Sequence, residues 1–184
     1  MEYVPLIIIG VILVIVLVCV IWWISTGNRF KRMAIRISEA LSGIEVALTK
    51  RYDMLTKLLD TAKGYAAHET GLFSQVIELR RGMSVSELGE KNAQMDELSA
   101  RIIAVAESYP QLRSAVIFRD LQAGIRDAEE HLQAARRLYN SNVTAFNTAV
   151  EVFPSSIVAK SQHLQKYEFF AAEAAKREDV KMSF

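Results

Sequence analysis

The sequence predicts an all-α protein: an N-terminal transmembrane helix followed by an antiparallel four-helix bundle of long helices. Three observations support this class. An unbroken apolar run lies near the N-terminus, apolar residues in the remainder recur every three or four positions, and the alternation typical of strands does not occur. The connections between the predicted helices are short, so consecutive helices are expected to pack as antiparallel neighbours.

The apolar run from Leu6 to Ile24 contains no Asp, Glu, Lys, Arg or His. As a helix it would reach roughly 28 Å, close to the hydrocarbon thickness of a bilayer. We predict a retained span over about residues 5–24, because the basic leader and the small-residue cleavage site of a signal peptide are missing. Trp22 and Trp23 stand where one membrane interface would lie, and Tyr3 stands near the other.

Basic residues flank the predicted span on one side. Arg29, Lys31, Arg32 and Arg36 follow it, and the short segment before it has none. The positive-inside rule therefore predicts a single-pass protein of the cell (inner) membrane, with its N-terminus outside and its body in the cytoplasm. The same cluster could hold anionic lipid, although setting the topology is the simpler role. We expect residues 1–28 to form the tail and anchor, and residues 29–184 to form the cytoplasmic bundle.

Gly27-Asn28 is interpreted as the end of the span, after which the helical period restarts. The first soluble helix is predicted from about Asn28 to Arg80. Its apolar stripe begins at Phe30 and repeats at 3.6 residues per turn, the spacing that keeps one face of a straight helix buried. The sequence leaves open whether this helix is continuous with the span.

Two further helices follow a break at Gly82. Ser84 and Glu87 form a capping-box pattern that starts the second helix, which should stop before Tyr109-Pro110. The third helix is predicted to begin just after Pro110, with an apolar stripe from Phe118 to Phe153.

A short fourth helix is predicted after Phe153-Pro154. Ser155 or Ser156 could cap its N-terminus. Its apolar face would carry Leu164, Tyr167, Phe170 and Ala174.

The sequence offers no constellation for catalysis or metal binding. Its three histidines, His68, His131 and His163, fall on different predicted helices and lack the partners that zinc or di-iron motifs require. Cys19 is the only cysteine and lies in the span, which excludes an intramolecular disulfide. A net charge of +1 gives no electrostatic reason to bind nucleic acid. We predict no enzymatic activity, no cofactor and no metal.

Several polar side chains lie on or beside the apolar stripes. They are Tyr52, Tyr65, Tyr139, Tyr167, Asn140 and Asn147. The simpler interpretation is structural: tyrosine fills core volume while its hydroxyl finds a partner at the rim. The functional alternative is a polar groove between helices that receives a partner peptide.

Three segments resemble the motifs of the LemA family, bacterial membrane proteins with one N-terminal span. Lys50-Arg51-Tyr52-Asp53 and Lys63-Gly64-Tyr65-Ala66-Ala67-His68-Glu69 are similar to its central motif. Arg136-Arg137-Leu138-Tyr139-Asn140, with Asn147 and Phe153-Pro154, is similar to its second motif, and Phe169-Phe170-Ala171 to its C-terminal one. Thr56 departs from the pattern, because the family commonly has a proline after Tyr-Asp.

The resemblance implies a four-helix bundle beneath a single-pass anchor and no established enzymatic activity. Family genes are often found near membrane-protease genes, which points to membrane protease machinery as a partner. We therefore expect an adaptor or scaffold that contacts the lipid bilayer and an unidentified membrane-associated protein. The alternative is a homo-oligomeric membrane assembly with a structural or stress-related role.

Overall fold

The computed structural model describes residues 3–64 and 83–170. Within these ranges all regular structure is helical and there is no strand, so the predicted all-α class is confirmed. The helices are α1 (Val4–Lys63), α2 (Val85–Ser108), α3 (Pro110–Ser114), α4 (Val116–Glu151) and α5 (Ser155–Ser161).

Helix α1 begins with the apolar run, which is long and apolar enough to cross a membrane. None of its most apolar window is buried inside the protein, as expected of side chains that face lipid rather than a protein core. The helix continues without a break through Gly27 and Asn28, which answers the question that the sequence left open. A Cβ on Gly27 would lie 2.8 Å from Nε2 of Gln162, which is the far end of a flexible side chain and could move aside. The predicted extension to Arg80 falls outside the described residues.

The described residues divide into two compact units. The first unit comprises the described parts of Met1–Glu39 and Ser141–Tyr167, and the second those of Ala40–Asn140 and Glu168–Phe184.

In the first unit, α1 and α4 run antiparallel. The rings of Phe30 and Phe146 meet edge to face with centroids 5.6 Å apart, and Asn142 Nδ2 donates to the carbonyl of Arg36 at 3.2 Å. The numbering falls on α4 as it rises on α1. This unit buries a small apolar core: Phe30, Ile37, Val143, Phe146, Ala149, Val158 and Ala159.

The second unit packs α1, α2 and α4 around a larger core. Gly43 lies against Ala135, and Gly124 lies against Met54, so α1 and α4 are antiparallel here also. Its fully buried side chains come from every helix of the unit: Ile44, Leu48, Leu55, Leu58, Met95, Ile102, Leu112 and Leu132. Burying several such side chains, at about 1.5–3 kcal/mol each, is the main stabilisation of the unit.

The predicted third helix is divided in two at Ala115, whose backbone is extended (φ −61°, ψ 129°). In one continuous helix Leu112 and Phe118 would point about 120° apart, because six residues turn the helix by about 600°. The break allows both side chains to be buried.

The predicted fourth helix is wrong in extent. Helix α5 ends at Ser161, and Leu164, Tyr167 and Phe170 lie in a non-helical segment; Ala174 falls outside the described residues. Neither predicted serine caps it, since Pro154 is the N-cap residue and makes no side-chain cap bond. Instead, the Ser155 hydroxyl lies 2.7 Å and 2.9 Å from the carbonyl oxygens of Ala149 and Val152, at the end of α4.

Candidate interaction surfaces

The membrane-interface residues predicted from the sequence lie along the first half of α1. Tyr3 and Trp23 are exposed, and Trp22 is half-buried. Arg29, Lys31, Arg32 and Arg36 are all exposed, one to four turns beyond the apolar run. Their side chains are free to meet lipid headgroups or water, as a topology-setting cluster requires.

Arg51 is a buried motif residue with several polar partners. Its side chain is only 4% exposed, yet it meets three polar partners on two other helices of the second unit. Nη1 donates to Oδ1 of Asn92 at 2.5 Å and lies 3.0 Å from Oε2 of Glu129, while Nη2 donates to Asp96. The planar guanidinium fork suits such a multidentate arrangement. Arg51 therefore joins α1, α2 and α4.

The other described residues of the central motif are less buried than Arg51. Tyr52 is half-buried, whereas Asp53 and Gly64 are exposed. The other central-motif positions, Tyr65, His68 and Glu69, fall outside the described residues.

Two asparagines of α4 each hold one residue of the non-helical segment after α5. In the first unit, Asn147 donates through Nδ2 to the carbonyl of Tyr167 and accepts from its N–H, both at 2.9 Å. In the second unit, Asn140 makes the same pair of bonds with Phe170, at 3.0 Å and 2.9 Å. A carboxamide carries one acceptor and one donor group side by side, so it can satisfy both backbone groups of a single residue.

The other residues of the second motif reinforce the hold on Phe170. The Arg136 guanidinium carbon lies 4.6 Å from the centre of the Phe170 ring, which is 3% exposed. The buried Tyr139 donates through its hydroxyl to the carbonyl of Glu168 at 3.0 Å. In the second unit, Tyr139 and Asn140 thus bind the backbone of the protein's own chain.

The sequence pattern placed Phe153 at the end of the buried stripe of α4, and this prediction is wrong. Helix α4 has already ended at Glu151, and Phe153 is 76% exposed. The peptide bond between Phe153 and Pro154 is cis. We name residues 152–154 the α4–α5 corner.

A groove of about 750 Å³ lies on the second unit beside α1. Its lining mixes apolar side chains with both signs of charge: Ser42, Glu45, Val46, Leu48, Thr49, Lys50, Asp53, Met54, Lys57 and Leu88. Val46 is 65% exposed at this surface.

Lys50 at this groove also pairs with Asp127 of α4 at 2.5 Å. The hydrogen bond and charge of Lys50 lower the pKa of Asp127. Both side chains are about half exposed, so the pair contributes little stability.

Sequence reasoning missed the partners of Arg51. Asn92 is fully buried and lies between Leu88 and Met95 in the spacing of the α2 core stripe. A polar residue at a core position was the available signal, because a buried amide needs a hydrogen-bond partner.

The described residues include no group of three or more His, Cys, Asp or Glu side chains that could hold a metal ion. His131 lies 3.5 Å from Asp127 at an exposed site, and His163 is exposed.

The apolar half of α1 and the helical units define a membrane-associated helical protein. The LemA family model matches residues 40–184 of the chain. The chain therefore belongs to the LemA family, as the motif resemblance predicted.

The chain is also similar to individual proteins. Protein LemA of Metamycoplasma hominis is 26% identical over 166 residues, which cover 88% of this chain and 76% of the relative. Magnetosome protein MamQ of Magnetospirillum gryphiswaldense is 21% identical over 178 residues, covering 80% of this chain and 65% of the relative. Magnetosome protein MamQ 2 of Paramagnetospirillum magneticum is 19% identical with the same coverage.

Proposed function

We propose that this protein is a non-enzymatic adaptor, tethered by one span to the inner membrane, that holds another membrane-associated protein on its cytoplasmic side. The groove beside α1 is the observation that carries the proposal. It offers an exposed apolar centre at Val46 with carboxylates and ammonium groups around it. A partner that complements both charge signs could be selected there, since charge complementarity contributes specificity.

Tethering adds to the strength of such a contact. Confining the groove to the membrane surface raises its effective concentration for other membrane-bound proteins. Membrane protease machinery is the partner class that family membership favours.

In-membrane photo-crosslinking tests the adaptor role. A benzophenone amino acid at Thr49 places the probe in the groove, and one at Leu138, which is 57% exposed in the same unit, places it elsewhere. We expect a distinct heterologous adduct from Thr49 and none from Leu138. Val46→Asp should abolish the Thr49 adduct, because it buries a carboxylate in the contact.

Other outcomes of the same experiment contradict the proposal. A ladder of self-adducts from Thr49 would favour the homo-oligomeric assembly. Equal labelling from Thr49 and Leu138, unchanged by Val46→Asp, would show that the groove selects no partner.

A further inference from the structure

The α4–α5 corner exposes large apolar side chains in the first unit. Phe153 is 76% exposed and Val152 is 52% exposed. The corner is well ordered by hydrogen bonds: the Val152 N–H donates to the carbonyl of Thr148 at 2.9 Å, and the Ser155 hydroxyl lies against the carbonyls that end α4. The fold thus holds these apolar groups outward, which costs free energy in water unless something covers them.

The corner lies beside the end of the apolar run. Val152, Phe153 and Pro154 line a cavity of about 490 Å³ together with Trp22, Thr26, Arg29 and Met33 of α1. From Trp22 to Arg29 the helix rises about 10 Å, slightly more than the roughly 5–8 Å of headgroup layer on each side of the hydrocarbon. If Trp22 lies at the edge of the hydrocarbon, the cavity would span the headgroup layer, with tryptophan at its inner end and a guanidinium at its outer end.

The charge of the first unit suits an anionic surface. Its described residues include six basic side chains, Arg29, Lys31, Arg32, Arg36, Lys160 and Lys166, against two carboxylates, Glu39 and Glu151. One of those carboxylates, Glu151, is already paired with Lys166. Basic residues near a membrane attract anionic lipid at about 1 kcal/mol each.

We propose that the α4–α5 corner is a second membrane contact: Val152 and Phe153 enter the interfacial layer, and Arg29 pairs with the phosphate of an anionic phospholipid in the adjoining cavity. Two features favour lipid as the occupant. The cavity is continuous with the lipid-facing helix, and its polar end carries a cation at headgroup depth. This contact is independent of the adaptor role.

Single-cysteine labelling of the full chain tests the contact. Cys19 is the only native cysteine, so a Cys19→Ala background accepts one environment-sensitive fluorophore at Phe153→Cys. The matched control is Ile35→Cys, a 66% exposed apolar position of the same unit that lies roughly 20 Å beyond Trp22 along α1. Each protein is placed as a single copy in a phosphatidylcholine–phosphatidylglycerol nanodisc.

We expect the fluorophore at position 153 to emit at shorter wavelength, to be quenched several-fold more by nitroxide-labelled lipid than position 35, and to be shielded from iodide. Equal iodide quenching at both positions, without lipid quenching, would overturn the proposal. Shielding at 153 without lipid quenching would also overturn it, because another part of the protein would then cover the corner.

The headgroup assignment has its own control. With nitroxide on either phosphatidylglycerol or phosphatidylcholine, position 153 should be quenched more strongly by the anionic lipid. Arg29→Gln should remove this preference, whereas Arg36→Gln, which removes the same charge from an exposed position outside the cavity, should retain it. Equal losses in both variants would overturn the Arg29 site.

Discussion

Asn140 and Asn147 each satisfy the N–H and the C=O of one residue in a segment that has no other regular structure. We expect Asn140→Ala to speed amide exchange at Phe170, and Asn147→Ala to speed it at Tyr167. Losing one net hydrogen bond of about 1 kcal/mol corresponds to roughly fivefold faster exchange. Hydrogen exchange of the full chain in detergent, followed by mass spectrometry or NMR, measures the effect.

Asn142 supplies the control for this prediction. It lies between the two asparagines on α4, but donates instead to the carbonyl of Arg36. Asn142→Ala should leave both amides protected. If it accelerated them as much as the other two variants, general loosening of α4 would explain the result.

Arg51 differs in kind from the neighbouring Lys50. Arg51→Met would leave Asp96 and Glu129, each about one-third exposed, without their shared cation. Breaking a fully buried pair would cost more, but these carboxylates are partly exposed. We therefore expect Arg51→Met to lower the free energy of unfolding by about 2–3 kcal/mol. Lys50→Met, which breaks an exposed pair, should change stability by less than about 1 kcal/mol.

Denaturation of the full chain in mild detergent, followed by loss of helical circular dichroism, compares the two variants. Equal effects would show that the buried network contributes no more than a surface ion pair.

At the scale of the element, the start of α2 depends on a reciprocal pair of bonds. Glu87 accepts from the Ser84 backbone N–H at 2.6 Å, and the Ser84 hydroxyl accepts from the Glu87 N–H at 3.2 Å. We expect Ser84→Ala to cost about 1 kcal/mol, the usual effect of losing a serine N-cap. Ser86→Ala, an exposed change within the same first turn, serves as the control in thermal unfolding.

The same element should respond to acid. The backbone N–H of Ser84, followed by its hydroxyl, lowers the pKa of Glu87. A lowered pKa in the folded state stabilises α2 above the ordinary carboxyl pKa, and this contribution is lost as the pH falls through the lowered value. Glu87→Gln should therefore make the free energy of unfolding depend less steeply on pH on the acid side of the stability–pH curve. An unchanged acid limb would contradict the assignment.

The elements also differ in how far the sequence predicted them. The capping box at Ser84 was predictable because its partners are three residues apart. The network of Arg51 was not, because Asn92 and Glu129 are distant in sequence and meet it only after the helices pack. Continuity of α1 through Gly27 could not be predicted, since a glycine inside a helix and a glycine at a helix end look the same in sequence. The spacing of Tyr167 and Phe170 is helical by coincidence, because both lie in a non-helical segment whose backbone groups are bound by carboxamides.

At the scale of the whole molecule, orientation in the membrane should follow the basic cluster after the apolar run. Changing Arg29, Lys31, Arg32 and Arg36 to Gln, and adding lysines before Tyr3, should invert the chain by the positive-inside rule. A C-terminal reporter active only outside the cytoplasm measures the inversion. Changing Lys160 and Lys166 to Gln, far along the chain from the span, should leave the orientation unchanged.

The continuity of α1 through Gly27 has a consequence for the phase of this helix. Because the helix runs unbroken through this point, the azimuth of the lipid-facing surface is set by the packing of the residues that follow it. Inserting one alanine just before Gly27 would rotate Trp22 by about 100° and move it away from Phe153. Inserting seven residues would nearly restore the phase, because seven residues turn a helix by about 700°. The protein should therefore tolerate a seven-residue insertion before Gly27 better than a one-residue insertion.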